Sequence, residues 1–227
     1  MSAKSLYGLA AFFAAVPAYA WLRDSPAAAL SFFLFLFPYV FLVLTQDMVR
    51  SEVDSGGLEN VAFLRQDFRR YLLEKNAVIA LFGGLVSLAL FGILVTASCG
   101  SRSFSLLDFA QFGAGLFAGL YYTALAGFLS YLLKAGSNVL VIFLGQAALA
   151  VSFLLSAGSE TGFLRNLSEG AFPDFPSLLK FSGLVALLPN TVVSRKFLPW
   201  TFEVAGLSLF FFWLQYRQAA RLELKKQ

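Results

Sequence analysis

Histidine is absent from the chain, and cysteine occurs once, at Cys99. Those two scarcities remove disulfide frameworks, most zinc and haem sites, and the histidine-centred nucleophile–base pairs of many hydrolases. Charge is scarce too: Asp, Glu, Lys and Arg make up 13% of the 227 residues, against about 25% in ordinary soluble domains. No Gly-x-x-x-x-Gly-Lys-Ser/Thr pattern occurs, so the chain has no P-loop with which to hydrolyse a nucleotide. The paired acids fall in one polar stretch, and an enzymatic reading has little to stand on. The chain is read as non-catalytic, with no metal site of its own.

What is present is apolar. Hydrophobic residues make up 59% of the chain and phenylalanine alone contributes 27 residues. One soluble core cannot hide that much apolar surface, so lipid must solvate part of it. The formal charge of +4 raises nucleic acid as a partner. The basic residues flank apolar segments, however, which points to the membrane and its lipids instead.

Six apolar stretches predict an all-α membrane protein of six transmembrane helices, at about 5–22, 27–46, 77–97, 110–133, 138–157 and 198–216. Each is close to the roughly 20 residues that cross the hydrocarbon layer. The first also resembles a signal peptide, with Lys4 ahead of it and Ala18–Tyr19–Ala20 near its end. A second stretch follows after only Arg23–Asp24–Ser25–Pro26, which favours two antiparallel spans. Pro38 predicts a kink in the second. The segment 178–193 is short, carries Lys180 and ends in Leu188–Pro189–Asn190, which suits an interfacial or re-entrant element; a full crossing would give seven spans. With both termini cytoplasmic, eleven of the 17 basic residues fall inside and six outside, four of those six in the long last loop. That is the orientation the positive-inside rule favours.

The first five stretches contain no Asp, Glu, Lys or Arg, which argues against coupling to an ion gradient. Glu203 stands in the outer part of the sixth. It reads either as an interfacial carboxylate near Arg195 and Lys196 or as a gate or substrate contact. Gly115-x-x-x-Gly119 gives the fourth span a small-residue face, expected to serve packing within the bundle.

The most charged segment, 47–76, lies between the second and third spans. Asp54–Ser55–Gly56–Gly57 signals a turn or helix start. Beyond it Leu58, Val61, Phe68 and Leu72 share one helical face, with Glu59, Gln66, Arg70 and Glu74 turned away. One or two short surface helices are expected, the second capped by Asp67 and starting at Phe68. Such a segment is a solvated connector or an element that docks in a protein groove.

The run Glu52-Val-Asp-Ser-Gly-Gly-Leu-Glu59, then Arg69–Arg70–Tyr71–Leu72–Leu73 and Lys75 ahead of a span, resembles the ABC type-2 permease family. Leu187–Leu188–Pro189–Asn190–Thr191 before the last span and the basic tail also fit. The usual proline in the turn is absent, Phe63–Leu64–Arg65–Gln66 standing there, and the basic amphipathic helix that commonly precedes the first span is missing. The resemblance implies an exporter's membrane subunit that dimerises with a copy of itself or a related permease. The loop 47–76 would seat as a coupling helix in a separate P-loop ATPase, which would hold the ATP and Mg. It implies a coupling role for Gly57, Leu58, Glu59, Arg65, Arg69, Arg70 and Lys75. It also implies an outer re-entrant or gate role for the segment 175–199, with Pro189, Asn190 and Glu203, and a location in a cell's inner membrane. A membrane scaffold or assembly factor that binds a cytoplasmic partner through the same loop without transporting is the alternative, and a channel or lipid-handling protein a third.

Overall fold

A computed structural model describes residues 14–15, 25–46, 68–98, 103–133, 137–157 and 182–224, and the regular elements among them are all helical. Helix α1 spans Pro26–Leu36, with Ser25 as N-cap and proline in its first turn, a position where a missing N–H costs nothing. Pro38 then starts α2, Pro38–Leu44. The Phe37 N–H still reaches Phe33 O at 2.9 Å, but the Val40 N–H turns to Phe37 O at 3.0 Å, the tighter spacing of a local 3-10 turn. The expected kink is therefore present: proline cannot donate to the preceding turn, and the ladder breaks there.

Helix α3 covers Phe68–Ser98, 31 residues or about 46 Å. Residues 68–76 are not a separate surface helix: the helix runs unbroken from them into the apolar stretch. Charge marks where a helix leaves lipid. It does not break the backbone ladder, and no proline intervenes to do so. Phe68 and Leu72 are buried and pack against Ala219, while Arg70 is exposed, as the periodicity of the segment requires.

Helix α4, Leu106–Leu132, begins with a capping box in which the Asp108 Oδ2 accepts from the Ser105 N–H at 2.8 Å and the Ser105 hydroxyl at 3.1 Å. Asp108 thus sits in the first turn of the helix, buried. Helix α5 is Ser137–Ala157, residues 182–187 are helical, and 3-10 turns at Pro189–Val193 and Leu198–Trp200 lead into α6, Thr201–Leu224.

Three helical stretches, Ala27–Leu44, Phe68–Thr96 and Leu106–Leu132, are each long and apolar enough to cross a membrane by length and composition. The apolar part of α5, Ser137–Val151, is shorter. Exposed leucine, valine and isoleucine run along α3, including Val78, Leu81, Leu85, Leu88 and Ile93, a surface suited to acyl chains and poorly suited to water. The chain is a multi-pass membrane protein.

Helix α4 touches every other element. Val204 packs with Ala114 and Ala118, Phe211 with Tyr121, and Gln215 with Ala124, so α6 runs in the same direction as α4. Helix α5 runs against it: Asn138 meets Ala126, and Gln146 meets Tyr122.

The packing of the broken helix against α4 uses the Gly115-x-x-x-Gly119 face. Phe37 lies over Gly115 and Phe41 over Gly119, and a Cβ at either glycine would enter the ring. On its other side Phe41 meets Gly83 of α3, where a Cβ would stand 2.9 Å from Cε1. Phe41 is 1% exposed and held between two helices whose backbones it approaches closely. Around it Phe33, Phe37, Phe91 and Phe112 stack, Phe91 and Phe112 with ring centres 4.5 Å apart. In lipid, such close van der Waals contact replaces the hydrophobic drive that water would supply.

Gly119→Ala is therefore expected to lower stability by about 1–3 kcal/mol through overpacking, read as a lower thermal midpoint in detergent. Gly113→Ala, at a position with open space, is expected to leave the midpoint unchanged. Phe41→Leu is expected to recover part of the loss when combined with Gly119→Ala.

Candidate functional site

Two helix breaks meet at one level of the bundle, and side chains from four elements close the gap between them. Pro38 breaks the second apolar stretch, and Pro189 ends the helix at residues 182–187. Each break leaves backbone carbonyls without a partner in the ladder, and a bundle in lipid must supply donors for them from side chains.

Asn190 supplies one. Its amide Nδ2 donates to Phe35 O, in the turn that precedes Pro38, while its Oδ1 accepts from the Tyr122 hydroxyl of α4. Gln146 of α5 donates to the Tyr122 oxygen at 2.8 Å and to Leu187 O at 3.2 Å. The Gln146 Oε1 in turn accepts from the Tyr39 hydroxyl of α2 at 3.0 Å. The result is a ring of bonds from Tyr39 through Gln146, Tyr122 and Asn190 back to Phe35, one turn away on the same broken helix. Tyr121 adds a bond to Ala186 O at 2.8 Å. Asn190 is 1% exposed and Tyr122 fully buried. Tyr39 stacks on Tyr122 at 5.3 Å and on Phe143 at 5.7 Å, which fixes its hydroxyl toward Gln146.

A second buried polar knot lies within about one and a half turns along α4, between Ala124 and Gly127. The Asn76 Nδ2 of α3 donates to Gln215 Oε1 at 3.0 Å, and Gln215 Nε2 donates to Ala124 O at 2.7 Å. Gly127 leaves the space that the Gln215 amide occupies, since a Cβ there would collide with it. Beyond the knot, cations lie over aromatic rings: Arg69 over Tyr216 at 5.2 Å, Lys75 over Tyr71 at 5.7 Å and Arg217 over Trp213 at 5.3 Å. This is the amphipathic arrangement of a membrane–water boundary, with stems and rings in the apolar layer and charge toward water. Arg70 pairs with Glu74 one turn on at 3.2 Å.

The sequence-derived residues divide accordingly. Arg69, Arg70 and Lys75 share the first two turns of α3. Pro189 and Asn190 stand at the centre of the polar ring, and Glu203 lies in the first turn of α6 with its Oε2 buried and without a hydrogen-bond partner among the described residues. Gly57, Leu58, Glu59 and Arg65 lie outside the described residues, as do Asp67 and the segment 175–181. Tyr39, Tyr122, Gln146, Asn76 and Gln215 were not anticipated. Their signal was available: uncharged amides and phenols inside apolar stretches are costly unless bonded, but a search confined to ionised groups passes over them.

Beside Asn190 a cleft of about 430 Å³ opens between α1, α4 and the turn 189–197. Among the described residues no cluster of His, Cys, Asp or Glu suits a metal ion. A comparison with protein-family models, curated proteins and solved structures finds no match.

Tyr122→Phe is expected to lower stability by about 1 kcal/mol, the scale of one interhelical bond in a membrane bundle. Asn190→Leu is expected to cost more, about 2–3 kcal/mol, because it strands both Phe35 O and the Tyr122 hydroxyl. In a double-mutant cycle the two changes should be markedly non-additive, measured by thermal unfolding in detergent.

Proposed function

We propose that this chain is the membrane-spanning permease subunit of an ATP-driven exporter, working with a separate P-loop ATPase that holds ATP and Mg. The observation that carries the reading is helix α3. It is a single 31-residue rod whose first turns bear Arg69, Arg70 and Lys75 and whose later turns hold Phe41 and Phe91 in the core. Gly83 of this rod meets Phe41, on the same helix as Tyr39, so a displacement of the rod bears on the broken helix.

In this reading the six spans sit in a cell's inner membrane with both termini cytoplasmic, and the loop 47–76 docks on the ATPase. Gly57, Leu58 and Glu59 form the coupling turn, with Arg65, Arg69, Arg70 and Lys75 at the inner surface. The segment 175–199 re-enters from the outer side, with Pro189, Asn190 and Glu203 in its gate. The parallel course of α4 and α6 supports a return to the same side. The absence of ionised groups from the first five apolar stretches agrees with energy delivered by a partner. A second copy or a related permease completes the pathway.

Purification of the full chain in mild detergent from its native host is expected to bring down a P-loop ATPase in stoichiometric amount. Glu59→Lys is expected to uncouple ATP hydrolysis from transport, or to release the partner, while leaving the protein inserted. A well-preserved complex with no ATPase, or wild-type transport in Glu59→Lys, would overturn the reading in favour of a scaffold that binds a partner through the same loop.

A further inference from the structure

The cleft beside Asn190 has a composition that selects a ligand class. Leu34, Phe35, Val193 and Phe197 give it apolar walls, and Ser31, Gln111, Asn190, Thr191 and Ser194 add uncharged polar groups to its lining. Among the described residues, Arg195 is the single charged side chain that lines it, with no carboxylate. Arg195 is exposed on the turn just after Val193, so its guanidinium stands at the mouth while the walls run inward. The volume of about 430 Å³ lies in the range of small-molecule sites, roughly 300–1,000 Å³.

We propose that this cleft binds a single-chain anionic amphiphile, with a phosphate or carboxylate headgroup on Arg195 and its alkyl chain along Leu34, Phe35, Val193 and Phe197. Three features carry this. A lone guanidinium with no opposing acid in the lining favours an anion, and its planar fork matches the oxygens of a phosphate or carboxylate. Leu34, Phe35, Val193 and Phe197 offer an alkyl chain apolar contact that a compact dianion cannot use. The cleft opens within about two turns of the start of α1 and of α4, from Ser31 and Gln111, close to where headgroups lie when chains enter the hydrocarbon. A cationic or zwitterionic amphiphile would bring positive charge against Arg195.

Occupancy of the cleft also reaches the polar ring. Asn190 lines the cleft and holds Phe35 O and the Tyr122 hydroxyl. A chain packed against Phe35 and Asn190 therefore bears directly on the junction between the two helix breaks. The inference names the substrate class of the export reading and rests on that reading only for the fate of the bound molecule; binding itself needs no ATPase.

The test is binding of monododecyl phosphate to the full-length chain in a neutral maltoside detergent, counted as bound adducts by native mass spectrometry without nucleotide. Micelles absorb the probe alike for every variant, so differences between variants read the site. Saturable binding is expected, with Arg195→Gln about ten-fold weaker, the value of one charge-assisted contact. Arg195→Lys should stay within about three-fold, since charge is kept and the fork lost. Lys196→Gln, adjacent on the chain but not lining the cleft, should bind as the native chain does. Each variant is to show a native thermal midpoint; where Arg195→Gln does not, the native chain's preference for dodecyl phosphate over dodecyltrimethylammonium carries the comparison. Equal binding of dodecyltrimethylammonium, or no loss in Arg195→Gln, would overturn the proposal. Binding of inorganic or butyl phosphate as tight as that of dodecyl phosphate would overturn the amphiphile and leave a free-anion site. Binding as expected in a chain that recruits no ATPase would leave this inference standing and remove the export reading.

Discussion

A helix broken in the middle of a membrane exposes carbonyl oxygens where no bulk water can reach them, and the whole arrangement of this bundle answers that constraint. Pro38 and Pro189 each interrupt a helix, and the two interruptions face one another. Asn190 spans the gap with one amide, giving to Phe35 O and taking from Tyr122. Gln146 and Tyr121 serve Leu187 O and Ala186 O at the end of the helical residues 182–187. Together with α4 and α5 the two breaks satisfy each other.

That solution sets where the helices can lie. Tyr122 and Gln146 must face each other, which fixes the rotation of α4 and α5. With α4 so turned, Gly115 and Gly119 point at the broken helix and admit Phe37 and Phe41, while Gly127, farther along the rod, admits Gln215. Small residues thus mark three successive docking points on one helix, two filled by aromatic rings and one by an amide. Directional hydrogen bonds choose the register, and close aromatic packing holds it, which is how a bundle reaches one arrangement when all its surfaces are equally apolar.

A polar ring at a pair of helix breaks is also a place where two arrangements can lie close in energy. Interhelical hydrogen bonds in lipid are each worth only about 0.6 kcal/mol on average, so exchange of partners within the ring costs little compared with unfolding a helix. The long α3, anchored on Phe41 and Phe91 and carrying its basic residues beyond the apolar layer, connects that soft centre to the chain's most charged segment. Structure and proposed coupling share this one feature: a stiff rod packed, through Phe41, against the broken helix that enters an adaptable junction.

The amino-acid sequence determined the solvent of this protein and the rough course of its helices. Scarce charge and long apolar runs require lipid, and Pro38 requires a kink wherever its neighbours lie, because both are consequences of local chemistry. The small-residue face at Gly115 and Gly119 was legible as a packing surface, although not its occupants. Only the tertiary structure decided that Phe37 and Phe41 fill it, that residues 68–76 belong to α3, and that Asn190 rather than an ionised group ties the centre together. Those outcomes depend on which residues meet across elements as much as about 150 positions apart, and no local pattern encodes such a pairing. An amide in a lipid-facing run and an amide in a polar ring read alike until the partner that pairs with it is in place.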